Sequence, residues 1–154
     1  MPEKISLTLS NDELSTFLAG FNELAFVRAF GVKVYLLDEC HVRSVIDPLS
    51  ENHRGGIQSS AVNGGVMASM FDLALGMPGL LRAQPDLRTA TVQLSMSFMK
   101  AVRGNKLEVV SWIARAGAGL LFTEAELRDE AGEVCASALG VVRMLEGHSE
   151  QRRF

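Results

Sequence analysis

The run Ser59-Ser60-Ala61-Val62-Asn63-Gly64-Gly65-Val66-Met67-Ala68-Ser69-Met70-Phe71-Asp72-Leu73-Ala74-Leu75-Gly76 limits the possible folds more than any other stretch of the chain. A polar, glycine-containing approach leads into residues that are small or apolar on every side, and Asp72 is the only charge between Val66 and Leu75. A helix that is apolar all round belongs in the core of a sheet or bundle, or in a membrane. An unpartnered carboxylate buried there costs on the order of several kcal/mol, so Asp72 is expected to be paired, protonated or used in chemistry. The membrane reading fits poorly. Asn63, the Gly64-Gly65 pair, Asp72 and Pro78 interrupt the charge-poor stretch from Ala61 to Leu81, and a central Asp adds roughly 3 kcal/mol to insertion. A buried helix with no membrane partner is the expectation.

The flanking sequence supplies the layer this helix needs. Ser10-Asn11-Asp12-Glu13 has capping-box spacing, with Ser10 as N-cap and Glu13 three residues on. Leu14, Phe17, Leu18, Phe21, Leu24 and Ala25 then recur at helical intervals and predict one N-terminal helix over 11–29. From Val32 the period falls to two: Val32, Val34 and Leu36, then Val42, Ser44 and Ile46, read as strands joined by a turn at Asp38-Glu39. Pro48 to Ser60 has no period and reads as a loop. The central helix is expected to stop near Gly76-Met77-Pro78, and Gln84-Pro85-Asp86 to turn the chain. Ala90, Val92, Leu94, Met96 and Phe98 then alternate with Thr89, Thr91, Gln93, Ser95 and Ser97, which predicts a strand with its apolar face on the core and its polar face away from it. Turns at Val102-Arg103-Gly104-Asn105, Gly117-Ala118-Gly119 and Asp129-Glu130-Ala131-Gly132 separate strands at Leu107 to Arg115, Leu120 to Arg128 and Val134 to Met144. The polar tail 146–154 is expected to fray. Strands grouped in this way predict a single α+β domain over 1–154, an antiparallel sheet with helices on one side, its core at 31–145.

The totals narrow the function classes. A chain of 154 residues fits one domain, and its formal charge of -3 lacks the basic excess that phosphate-backbone binding needs, so no nucleic-acid partner is expected. Cys40 and Cys135 form no CxxC pair or disulfide framework, and no signal-peptide pattern precedes the acidic run at Asn11-Asp12-Glu13. Two reduced thiols and a cytoplasmic location follow as expectations. His41, His53 and His148 have no metal-ligand spacing, are expected at the surface, and no metal ion is anticipated.

Three segments carry a resemblance. Asn63-Gly64-Gly65 with Asp72 nine residues after Asn63, the strand Thr91-Val92-Gln93-Leu94-Ser95-Met96-Ser97-Phe98-Met99-Lys100, and the closing pair from Gly119 through Val134 together resemble the hotdog-fold thioesterases of the PaaI-like family. The resemblance spans Gly31 to Leu145 and implies a hotdog fold, an antiparallel sheet wrapped around a central helix, here with an extra N-terminal helix. It implies hydrolysis of an acyl-CoA thioester to free acid and CoA, with CoA part of the substrate and no separate cofactor. Carried over by position, Gly64 is implied as backbone oxyanion donor at the helix N-terminus. Asp72 is implied as general base or nucleophile, where an apolar surround disfavours its charged form as suits a base. Thr91 is implied as the residue that holds the attacking water. Geometry adds a constraint: Gly64 and Asp72 are eight residues apart on one helix, about 12 Å along its axis, so one carbonyl carbon cannot meet both. If both serve one reaction they come from different copies, which predicts an obligate homodimer or dimer of dimers.

Two positions depart from the family. Asn63 stands where the family has His, keeping hydrogen-bonding capacity without a titratable proton; Ile57 stands where Asn or Gln is frequent, with Gln58 beside it. Asn63, Gly65, Gln58 and His53 are candidate substrate-binding residues around the helix start, and Lys100 and Arg103 are candidates to meet the CoA phosphates. Simpler readings stay open beside each: Asp72 as a structural acid, Gly64-Gly65 as a close-packing device, Thr91 as part of a solvated face, Ser59 and Ser60 as cap and loop residues, and Lys100, Arg103 and Lys106 as an ordinary charged turn. The departures favour one alternative function, a non-catalytic binder of acyl-CoA or aromatic ligands. An enoyl-CoA hydratase or dehydratase ranks last, because no His occupies the helix start.

Overall fold

The computed structural model describes residues 1–55, 59–82 and 87–146. In chain order the elements are α1 (Asn11–Asn22), α2 (Ala25–Ala29), β1 (Val32–Leu36), β2 (His41–Ile46), a short 3-10 turn (Glu51–His53), α3 (Gly64–Arg82), β3 (Leu87–Phe98), β4 (Leu107–Ala116), β5 (Leu120–Asp129) and β6 (Val134–Glu146). All six strands join one antiparallel sheet in the order β1-β2-β4-β5-β6-β3. The arrangement is the hotdog expected from the sequence, with α3 as the filling. Its Met70, Phe71, Ala74, Leu75, Met77 and Leu81 are buried with Val34, Ile46, Leu107, Val109 and Leu127 from the strands. By length and composition α3 passes for a membrane span; here it packs against β2 to β6 instead.

The hairpins form where the turn chemistry predicts. Asp38 Oδ1 accepts the backbone N–H groups of Cys40 and His41 at 2.7 and 2.9 Å, closing the β1–β2 turn. Gly119 and Gly132 take φ of +76° and +82° in the β4–β5 and β5–β6 turns, a region that L side chains rarely enter. The capping box at Ser10 and Glu13 is present in both directions. The predicted turn at Gln84-Pro85-Asp86 and most of the tail, 147–154, lie outside the described residues.

The N-terminal helix differs from expectation: it is two helices, broken at Glu23-Leu24. The apolar repeat runs through the break, so periodicity alone does not reveal it. Asn22 explains the interruption. Its Nδ2 donates to the Val34 carbonyl at 3.1 Å and its Oδ1 accepts the Val34 N–H at 2.8 Å, so it serves the edge strand β1 as a neighbouring strand would.

The central helix also runs further than Gly76-Met77-Pro78. Pro78 lies inside α3, which continues to Arg82. A proline in a helix interior removes the bond to the carbonyl four residues back, here Ala74. That carbonyl is met from outside the helix: Ser111 Oγ, fully buried in β4, donates to Ala74 O at 2.7 Å. The bond lost to Pro78 is replaced from the sheet, and the helix survives.

The third difference concerns β3. Thr91 faces Val142 and Gln93 faces Val141, so Val92 is an extra residue in a β-bulge. A one-residue insertion exchanges the faces of everything beyond it. Thr89 and Thr91 therefore point to the α3 side, while past the bulge Leu94 and Met96 take the core side. Val92 itself is 61% exposed. The regular alternation in the sequence conceals this switch.

Candidate active site

The start of α3 is built by Asn63. Its carbonyl accepts the N–H groups of Val66 and Met67 at 3.0 and 3.2 Å, and its side-chain Oδ1 accepts the Gly65 N–H at 2.8 Å. Asn63 is thus the N-cap, not Ser59 or Ser60. Ser59 Oγ takes the Ala61 N–H within the loop, and Ser60 Oγ accepts from Arg103. The Asn63 amide lies against Gly55, where any Cβ would stand 2.7 Å from Nδ2. The Gly64 N–H meets no acceptor among the described residues. Nothing lies within 4 Å of a Cβ built on Gly64, so a ligand has open access to this peptide. A free N–H at the first turn of a 19-residue helix also faces outward with the helix dipole behind it.

Two turns further on, Asp72 is exposed, contrary to the buried position expected from its neighbours. The reason is that α3 is not enclosed on all sides. Gly65, Ala68, Ser69, Asp72, Leu73, Gly76 and Leu80 form a stripe along it that is half-buried or exposed. Asp72 opens into a cleft of about 440 Å³ lined by Phe21, Leu73, Gly76, Met77, Leu80, Thr89 and Thr91. Its carboxylate has no hydrogen bond or ion pair among the described residues. No capping or pairing within the chain accounts for it. The Val92 bulge brings Thr91 into this cleft, a hydroxyl on the opposite wall from the acid.

The cleft mixes polar side chains, Asp72, Thr89 and Thr91, with apolar ones, Phe21, Leu73, Met77 and Leu80, and Thr89 lies beside Gly76 and Gly79 of α3. Sequence reasoning missed these apolar lining residues and Thr89. Leu73, Met77 and Leu80 follow Asp72 at helical spacing and carried a usable signal; the approach of Phe21 from α1 did not.

The remaining candidates are placed as follows. His53 is 7% exposed, not at the surface. Its Nδ1 accepts the Ser50 N–H at 2.9 Å and its Nε2 donates to Phe30 O at 2.8 Å, so both ring nitrogens join the loop to the end of α2 and neither is left for a ligand. Gln58 and Ile57 lie outside the described residues. Arg103 donates to Ser60 Oγ at 3.1 Å while Arg54 donates to Ser60 O at 2.8 Å, which brings two guanidinium groups to the loop just before Asn63. Lys100 is paired with Glu133 at 2.8 Å, and the Glu133 carboxylate raises its pKa above the ordinary lysine value. Cys135 is buried, and burial first and the charge of Asp129 second push its thiol pKa up, which disfavours the reactive thiolate.

The candidate site is thus an acid-bearing cleft beside the central helix of a hotdog fold. A family model described as the thioesterase superfamily matches residues 60–136, which include the helix start, Asp72 and Thr91. The chain belongs to the thioesterase superfamily and is a thioester hydrolase by that membership. Solved structures agree in fold. A thioesterase from Haemophilus influenzae is 12% identical with a TM-score of 0.79, the match covering 96% of this chain and 98% of that one. The PaaI protein of the E. coli phenylacetic acid degradation operon is 16% identical with a TM-score of 0.76, covering 91% and 98%. A thioesterase family protein from Silicibacter pomeroyi is 17% identical with a TM-score of 0.74, covering 84% and 95%. No curated protein sequence matches the chain.

Proposed function

We propose that this protein hydrolyses acyl-CoA thioesters at a site completed by a second copy of the chain. The observation that carries the reading is Asp72, a carboxylate with no partner among the described residues, which shares a cleft with Thr91 and with the apolar side chains of Phe21, Leu73, Met77 and Leu80. In the proposed reaction Thr91 holds a water molecule and Asp72 takes its proton as the oxygen attacks the thioester carbonyl. The carbonyl oxygen gains the charge and is stabilised by the Gly64 N–H of the second copy, with the helix dipole behind it. Collapse of the tetrahedral species breaks the C–S bond; the leaving thiolate recovers the proton, giving free acid and CoA.

The need for a second copy rests on distance, since Gly64 and Asp72 of one α3 are about 12 Å apart along the axis. The edge strand β3 supports it. Twelve residues long, with Val92 61% and Phe98 54% exposed, it is the kind of edge that recruits another strand. Gly65 and the α3 stripe of small residues allow close approach to the cleft. Arg103, with Arg54 beside it, is placed to meet the CoA phosphates near the helix start, and Lys100 joins them only on leaving Glu133. Asn63 supports the site by holding the Gly64 peptide in place, not by moving a proton.

Thiol release from a panel of acyl-CoAs tests this reading. Asp72→Asn is expected to lower turnover on the order of 10²–10⁴-fold while leaving the unfolding midpoint unchanged, because the side chain is exposed and unpartnered. Full turnover in the variant rules Asp72 out as the base.

A further inference from the structure

Three adjacent strands meet the central helix at Gly79. A Cβ built there stands 3.2 Å from Thr89 Cγ2 of β3, 2.7 Å from Leu121 Cδ1 of β5 and 3.5 Å from Met144 Sδ of β6. From this contact we infer that Gly79 is a positioning residue for Asp72 and Thr91: without a side chain it lets β3 lie close on α3, and that approach sets how near the Thr91 hydroxyl stands to the Asp72 carboxylate.

The backbone at Gly79 does not itself call for glycine. The residue lies inside α3 and has no positive φ, and glycine in a helix interior weakens it relative to alanine. Close approach is what requires it. The neighbours have little room to retreat. Leu121 is buried beside Ile113, Val142 and Met144, and the β-branched Thr89 is stiff at its one carbon–carbon side-chain torsion. The strand is the part that yields, because β3 is an edge with only β6 beside it in the sheet. Thr91 follows Thr89 by two residues, and both line the Asp72 cleft from the α3 side of that strand. Gly79 follows Asp72 by seven residues, two turns, which returns to nearly the same side of the helix. A displacement where Gly79 meets Thr89 is therefore passed on to the pair formed by Asp72 and Thr91. A second glycine seats the same helix from the sheet: a Cβ on Gly140 of β6 stands 3.0 Å from Leu75 Cδ1 and 3.3 Å from Leu75 Cβ.

The catalytic consequence rests on the thioesterase reading of Asp72 and Thr91, and the test separates the two. Thiol release from an acyl-CoA gives kcat and KM for the wild type, Gly79→Ala, Thr89→Ser and the double variant, each confirmed as folded by circular dichroism. Gly79→Ala is expected to lower kcat by about tenfold and to leave KM within about twofold. In the double variant the serine lacks the methyl that meets the new Cβ, and kcat is expected within about threefold of that of Thr89→Ser. Full kcat in Gly79→Ala, or a loss that Thr89→Ser does not relieve, overturns the inference. Where Gly79→Ala does not fold, Gly140→Ala takes its place with the same loss expected, since it lifts the same helix; there too full kcat overturns the inference. Crystal structures of these proteins read the distance from Thr91 Oγ1 to the Asp72 carboxylate. It is expected to grow on the order of a few tenths of an ångström in Gly79→Ala and to return in the double variant. An unchanged distance overturns the inference whether or not thiol is released. If the distance changes as expected but the wild type releases no thiol, the positioning stands and the hydrolytic reading falls.

Discussion

Two serines are fully buried in neighbouring strands, Ser44 in β2 and Ser111 in β4, and they do opposite things. Ser111 Oγ donates to the Ala74 carbonyl that Pro78 leaves without its helical partner. Ser44 Oγ has no hydrogen-bond partner among the described residues. Ser111→Ala is expected to cost about 1–3 kcal/mol, since a buried carbonyl loses the donor that stands in for the N–H missing at Pro78, and to lower the midpoint by roughly 2–4 °C per kcal/mol. Pro78→Ala in that background restores much of the loss, because alanine supplies the missing N–H. Ser44→Ala is expected to be neutral or stabilising. Thermal unfolding of the four proteins checks this, and equal losses at Ser44 and Ser111 contradict it. The same residues show what the sequence conveys at this scale. Asp72 is legible as the one charge in an apolar helix, but Pro78 reads as a stop signal because its rescuer lies 33 positions away in another element. Asn63 reads as a substrate contact, and the sequence does not show that its Oδ1 also caps α3 through the Gly65 N–H while its amide packs over Gly55.

Elements were legible where their signals are local and hidden where a neighbour decides. The capping box, the Asp38 turn and the four hairpin strands that follow a period of two are all local, and all are present. The break after Asn22 and the Val92 bulge answer to partners, β1 in one case and β6 in the other, so no periodicity announces them. The bulge matters most for the site, because it turns Thr91 toward Asp72 when the alternation assigns Thr91 to the opposite face. The capping box carries its own pH dependence. The Ser10 backbone N–H first, and its hydroxyl second, hold the Glu13 carboxyl below its ordinary pKa. A depressed carboxylate stabilises the fold fully above its unfolded pKa, near 4.3, and loses that contribution as pH falls through the folded value. Amide exchange in α1 is therefore expected to quicken in acid before the sheet opens. Ser10→Ala should quicken it at neutral pH and flatten the acid dependence; an unchanged exchange profile contradicts the capping account.

At the scale of the molecule the account makes one demand that a single chain cannot meet: Gly64 and Asp72 must act on one thioester from different copies. Gly64 is the first residue of α3, a position where proline fits and removes only the N–H, so Gly64→Pro deletes the oxyanion donor without disturbing the helix. That variant is expected to lose on the order of 10²–10³ in turnover, and Asp72→Asn to be inactive for lack of a base. The most direct measurement mixes these two inactive proteins, exchanges their subunits by mild unfolding and refolding, and follows thiol release from an acyl-CoA. In a mixed dimer one site has both defects and the other has neither, so the account predicts recovery of about a quarter of the wild-type rate for a random two-fold dimer. A mixture as inactive as its two parents, with mixed dimers demonstrated by mass spectrometry, contradicts the shared site.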